Sequence, residues 1–156
     1  MTRAENIAIL TAYFTAMSAG EWETVEGLYH DDIVVHMAGS TPLSGRLEGK
    51  TAITEDLISR PVMARMDPAH MRFARRWKIM CADDERVTAI MEGGGPTVTG
   101  DRYDQTYCEI FRFQDGKIIE IHAFLLQPPI RHACRETATP EAPPLASRST
   151  EDGRST

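Results

Sequence analysis

The sequence predicts an α+β fold, with three N-terminal helices packed on one face of a curved, mostly antiparallel sheet. Three observations carry that prediction. Ile7, Leu10, Phe14 and Met17 recur at helical spacing near the N-terminus, and period-two alternation takes over after Pro68. An Asp115-Gly116 pair, a strong hairpin signal, sits between the last two alternating runs. Helices come first and a meander of strands follows, the order expected of α+β rather than of alternating α/β units.

Thr2-x-x-Glu5 fits a capping box that starts the first helix, Tyr13 lies at the edge of its apolar stripe, and Gly20 is a good stop. Trp22, Val25 and Leu28-Tyr29 are expected to line a short second helix, and Ile33 to Met37 a short β-branched strand. Turn residues fill Ser40 to Gly45. Gly49-Lys50 leads into a third helix with Ile53 and Leu57 on one face, limited by Pro61. Strands are expected from Met71 to Ile79 and from Val87 to Met91, joined by the polar turn Asp83 to Arg86. Gly93-Gly94-Gly95-Pro96 reads as a flexible loop; without a strand before and a helix after, it does not read as a phosphate loop. Tyr103 to Phe113 is the longest strand and Ile118 to Leu126 the last, closed by Pro128-Pro129. Residues 1–136 form one domain, and 137–156, rich in Pro, Ser, Thr and charge, read as a disordered tail.

With 156 residues, 42% hydrophobic and 26% charged, the chain fits a single ordinary globular domain. A formal net charge of -6 argues against nucleic-acid binding, which needs clustered cations. The small cluster Arg75-Arg76-Lys78 reads as a solvated or salt-bridged strand face. No run approaches the ~18 apolar residues of a membrane span. The N-terminus lacks an apolar signal core, so a cytoplasmic location is expected. Cys81, Cys108 and Cys134 show neither zinc-site spacing nor a disulfide framework and read as reduced thiols. His36, His122 and Glu109 have no spacing that demands a metal, so none is expected, nor any cofactor.

The chain resembles the SnoaL-like branch of the NTF2-like superfamily, which also includes ketosteroid isomerase and scytalone dehydratase. The resemblance rests on Tyr29-His30-Asp31-Asp32-Ile33-Val34-Val35-His36, on Gly45-x-x-x-Gly49, on Tyr103-Asp104-Gln105-x-Tyr107, and on Phe111 through Glu120, and it covers about residues 5 to 127. It implies a conical fold with an apolar pocket between sheet and helices, a small-molecule ligand, and often a homodimer paired through the outer sheet face.

Three catalytic candidates follow from that resemblance. Tyr13 lies the same distance before Tyr29 as the isomerase's catalytic tyrosine lies before its corresponding segment, which implies a donor to a substrate oxygen. Glu109 matches the isomerase's protonated acid. Its strand also argues independently: Tyr103, Gln105, Tyr107, Glu109, Phe111 and Phe113 share one face, and a carboxyl among aromatics should have a raised pKa. The isomerase's base position falls on His36 with one gap or on Met37 without; His36 is the candidate base. The alternatives are an edge tyrosine, a salt-bridged Glu109 on an outward face, and a His36 on the other strand face. The last-strand aspartate of SnoaL-type cyclases matches Ala123, which weighs against that cyclisation. The same match puts Ile121, Ala123 and Leu125 on the pocket wall and Glu120, His122 and Phe124 outward.

The expected function is therefore a cofactor-independent lyase or isomerase acting on a small, apolar, oxygenated ring. It would work by dehydration, retro-aldol loss of a small aldehyde, or double-bond migration. Trp77, Tyr107, Phe111 and Leu125 would line the substrate site. The alternatives are a non-catalytic small-molecule-binding dimer, and an epoxide or ester hydrolase.

Overall fold

In the computed structural model, which describes residues 1–40, 44–55, 63–67 and 69–126, the chain opens with α1 (Arg3–Ala19). The capping box forms: the Thr2 amide donates to the Glu5 carboxylate at 2.7 Å and the Glu5 amide to the Thr2 hydroxyl at 3.3 Å. Gly20 ends the helix in the left-handed region, φ 78°, and donates to Ala16 and Met17 carbonyls. The buried stripe runs through Asn6, Leu10, Tyr13, Phe14 and Met17. Tyr13 is thus inside the stripe, not at its edge.

The second helix, α2 (Trp22–Gly27), is shorter than expected. Tyr29 does not close it; Tyr29 opens strand β1 (Tyr29–Met37), pairing with Ile118, while the Ile118 amide donates to the Leu28 carbonyl at 2.9 Å. Pairing with a distant strand overrides the local helical pattern here. A short strand the sequence did not suggest, β2 (Gly45–Glu48), pairs antiparallel with β1. The backbone is helical over 50–55, with Ile53 buried. Leu57, Pro61, Pro42, Pro68, Pro128-Pro129, Cys134 and the expected tail lie outside the described residues.

The meander follows as β3 (Arg72–Ala82), β4 (Arg86–Pro96), β5 (Arg102–Gln114) and β6 (Lys117–Leu125). The six strands lie in the order β2-β1-β6-β5-β4-β3, all neighbours antiparallel except β1 and β6. Asp115 and Gly116, φ 50° and 75°, make the tight turn between β5 and β6. The glycines expected to form a flexible loop instead belong to β4, where Gly93, Gly94 and Gly95 pair with Gln105, Asp104 and Tyr103. A side chain at Gly94 would overlap the Tyr103 carbonyl, and a Cβ at Gly95 would come within 2.8 Å of the His70 carbonyl. Their lack of side chains permits close backbone approach. The basic cluster is salt-bridged as expected, Arg75 to Asp104 at 2.9 Å and Arg76 to Glu92.

Helix α1 lies against the inner face of the sheet. Phe14, fully buried, stacks on Trp77 at 5.3 Å and meets Phe111 edge-on at 5.7 Å. Leu10, Ile33, Ile118 and Phe111 are also fully buried. Each such side chain contributes about 1.5–3 kcal/mol through burial, before chain entropy is charged against it.

Candidate functional site

Strand alternation sorts the functional side chains onto two faces. On β5 the inner face carries Gln105, Tyr107, Glu109, Phe111 and Phe113, all buried, with Tyr103 half-buried at its end. On β6, Ile121 and Ala123 are buried inward with Leu125 half-buried, and on β1 Ile33 and Val35 are buried. Glu109 sits opposite Ala123 and Ala89, so small neighbours flank it on both sides.

Glu109 is the only buried ionisable carboxyl among the described residues, and its Oε2 has no hydrogen-bond partner. Burial alone pushes its pKa up to about 8, so it holds its proton at neutral pH. Tyr13 is buried beside it, edge-on to Phe111 at 5.7 Å, and its hydroxyl lies 3.0 Å from that of Tyr29. Desolvation raises both tyrosine pKa values, and the nearby Glu109 charge raises them further. Tyr107 is raised in the same way, and its hydroxyl lies 3.0 Å from that of Tyr103. The inner face therefore presents a protonated carboxyl among neutral phenols. Such a group donates hydrogen bonds as it stands, and it exchanges a proton readily near its pKa.

Tyr29 was not among the site residues expected from sequence. Its alternation with Ile33 and Val35 is interrupted, with Asp31 exposed and the register shifting between Tyr29 and Val34, so period-two counting did not reveal it.

His36 does not join Tyr13 and Glu109. With Ile33 and Val35 turned into the core, alternation sends His36 to the opposite face of β1. There its ring stacks on His122 at 4.3 Å and 9°, and its Nε2 lies 3.2 Å from Glu120 Oε1. His122 Nε2 lies 3.2 Å from the same oxygen, and Arg112 Nε donates to Glu120 Oε2 at 2.8 Å. Glu120 and His122 thus point outward as expected. The Arg112 guanidinium holds the Glu120 carboxyl below the usual range. The expected meeting of His36 with Tyr13 and Glu109 is replaced by one with His122 and Glu120.

Of the four expected substrate contacts, Phe111 and Tyr107 belong to the buried core, and Trp77 and Leu125, half-buried, pack against it. Phe111 is fully buried between Tyr13 and Phe14, and Trp77 stacks on Phe14 against α1. Tyr107 and Leu125, opposite each other on β5 and β6, share the inner face with Glu109. Cys108 lies on the outer face, half-buried, beside Phe124.

No helix among the described residues is long and apolar enough to cross a membrane. No functionally curated protein matches the sequence significantly. Several solved structures share the fold. Bal32a, from a soil-derived mobile gene cassette, is 19% identical, with a TM-score of 0.66 over 80% of this chain and 91% of that one. An NTF2-like protein from Burkholderia xenovorans is 20% identical, with a TM-score of 0.58 over 80% and 92%. TerC, co-crystallised with polyporic acid, is 20% identical, with a TM-score of 0.59 over 78% and 91%. The fold is NTF2-like, a helix-backed, curved and unclosed sheet. The SnoaL-like domain family matches residues 10–121, most of the described chain, and the protein belongs to that family.

Proposed function

We propose that the protein is a cofactor-independent lyase or isomerase that moves a proton on a small, apolar, oxygenated ring compound, with Glu109 as the proton-transfer group. The observation that carries this reading is the buried Glu109 carboxyl, one oxygen unpartnered, its pKa pushed up to about 8. A pKa near the operating pH suits a group that must both take and give a proton. Tyr13, with its partner Tyr29, supplies a neutral donor to an oxyanion developing beside Glu109. A single carboxyl working both ways needs no histidine on this face, so His36 has no part in the reaction. The inner face grades to half-buried side chains at Met37, Tyr103 and Leu125, the end from which a substrate would reach Glu109. The co-crystallisation of TerC, a protein of the same fold, with polyporic acid supports a small-molecule ligand.

The test is turnover of a panel of cyclic enones, hydroxylated aromatics and quinones. Glu109→Gln should lower turnover ~10²–10⁴-fold, and Tyr13→Phe ~10²–10³-fold. Full activity in Glu109→Gln would sink the proposal. The pH profile separates the chemistries. A rate that rises to a plateau above about pH 8 identifies ionised Glu109 as the base of isomerisation or retro-aldol cleavage; one that falls there identifies the protonated acid of dehydration.

A second reading, a non-catalytic small-molecule binder, is favoured by one observation: the Tyr13 hydroxyl is already engaged by Tyr29. Tight ligand binding that survives Glu109→Gln, with no turnover, would select it. In either reading the protein acts as a homodimer, which sedimentation reads directly.

A further inference from the structure

The outer face of the sheet holds a second cluster that the inner-face chemistry does not use. His36 on β1 and Glu120 and His122 on β6 bring one ligand atom each within 4.8 Å of one another. Both imidazole Nε2 atoms lie 3.2 Å from Glu120 Oε1. Nitrogen and oxygen ligands about 2.0–2.2 Å from a first-row metal, at tetrahedral or octahedral angles, are spaced about 2.9–3.4 Å apart. Each imidazole nitrogen already has that spacing to the carboxylate oxygen, and the two nitrogens, within 4.8 Å of one another, close the rest by side-chain rotation on binding.

We propose that His36 Nε2, His122 Nε2 and Glu120 Oε1 form a binding site for a divalent first-row transition metal, zinc above all. Two imidazoles and one carboxylate are the donor set such ions prefer over calcium or magnesium. The site is built rather than accidental in three respects. His36 and His122 are register partners on adjacent parallel strands, so pairing of the sheet itself holds the rings side by side at 4.3 Å, and a tilt of the part-exposed rings turns both nitrogens onto one ion. Arg112 takes Glu120 Oε2 and leaves Oε1 turned to the histidines, the outer-shell orientation that metal carboxylates usually require. Arg112 and Arg46, register or ion-pair neighbours of the cluster, are each engaged by a carboxylate, Arg112 by Glu120 and Arg46 by Glu48, which reduces their repulsion of a cation. The side chains of His36, Glu120 and His122 are 34%, 22% and 42% exposed, so an ion reaches them from solvent and water completes its coordination. A metal here bridges β1 to β6 at the one parallel pairing in the sheet.

The test is titration of the full chain with Zn²⁺, and with Co²⁺ as a spectroscopic probe. One equivalent should bind, the Co²⁺ spectrum should report nitrogen ligands, and the melting temperature should rise with metal concentration. His36→Ala and His122→Ala should each weaken binding at least ~10–100-fold, the loss that disturbing even an outer-shell partner brings. His30→Ala and His70→Ala should bind as the parent does. The substituted side chains are part-exposed, and circular dichroism of the metal-free variants checks that the fold is kept. No uptake at millimolar metal, or unchanged uptake in the His36→Ala/His122→Ala double variant, would overturn the proposal. The outcome is independent of whether Glu109 is catalytic.

Discussion

Glu109 and Glu120 lie on adjacent strands of one sheet and have opposite electrostatic lives. Glu109 faces inward opposite Ala123, one oxygen unpartnered, its pKa raised by burial. Glu120 faces outward, holds Arg112 with one oxygen and meets two histidines with the other, its pKa lowered mainly by Arg112. The difference is one of side, not of residue type. A carboxyl moved from the wet face to the dry face changes from an ion-pair anchor to a neutral acid. The two faces of an NTF2-like sheet can therefore host separate chemistries, with parity along each strand deciding which residues take part.

The largest test of that contrast is packing. Phe111→Ala, on the inner face, should cost about 3–5 kcal/mol, because it empties the contact between Tyr13 and Phe14. Ile110→Ala, its half-buried neighbour pointing outward, should cost about 1 kcal/mol. Denaturant unfolding of both variants reads the gap; equal losses would mean that the outer face is as deeply packed as the inner.

Glu109 provides the next test, through pH. A carboxyl that binds its proton more tightly when folded favours folding at low pH and opposes it once ionised. Between about pH 4.5 and 8 the folded state holds a proton that the unfolded state has released. Stability should therefore fall by up to about 1.4 kcal/mol per pH unit across that window and level off above it. Glu109→Gln should remove that slope. A slope unchanged in the variant would place the titration elsewhere.

Much of this arrangement was legible in the sequence, and the failures share a cause. The capping box at Thr2, the stop at Gly20, the Asp115-Gly116 turn and the alternation of β5 are local signals, each settled by a few neighbouring residues. The inward Glu109 followed from counting by twos along one uninterrupted strand. Tyr29 was misassigned to a helix because its strand exists only through pairing with Ile118, 89 positions later, which no local pattern encodes. The glycines of β4 read as loop because their reason, close approach of Tyr103 and His70 backbone, is also non-local. His36 was different. Ile33 and Val35 already implied its outward direction, but positional matching to a relative with a different base outweighed the parity of its own strand.

The tyrosine pair gives a smaller, sharper test of the dry face. Tyr13→Phe leaves the Tyr29 hydroxyl buried without its partner, at a cost of about 1–3 kcal/mol. Because the lost interaction is shared, the Tyr13→Phe/Tyr29→Phe double variant should be less destabilised than the two single losses added together. Additive losses would show that the hydroxyls do not depend on each other.

The smallest effect belongs to the wet face. Glu120→Gln keeps the shape of the side chain but removes the charge that Arg112 and the histidines share, and at neutral pH it should cost only about 0.5–1 kcal/mol, since water competes for all three partners. Its pH signature should be the mirror of Glu109. A lowered pKa contributes stability that is present above the usual carboxylate range and lost as pH falls through the lowered value, so parent and variant should converge in acid. Added salt should narrow their difference at neutral pH, while leaving the Glu109 slope nearly untouched, because screening reaches a part-exposed ion pair and not a buried carboxyl. A difference at Glu120 that ignores salt and persists in acid would mean that this cluster is held by packing rather than charge, and the contrast between the two carboxyls would fail on its outer side.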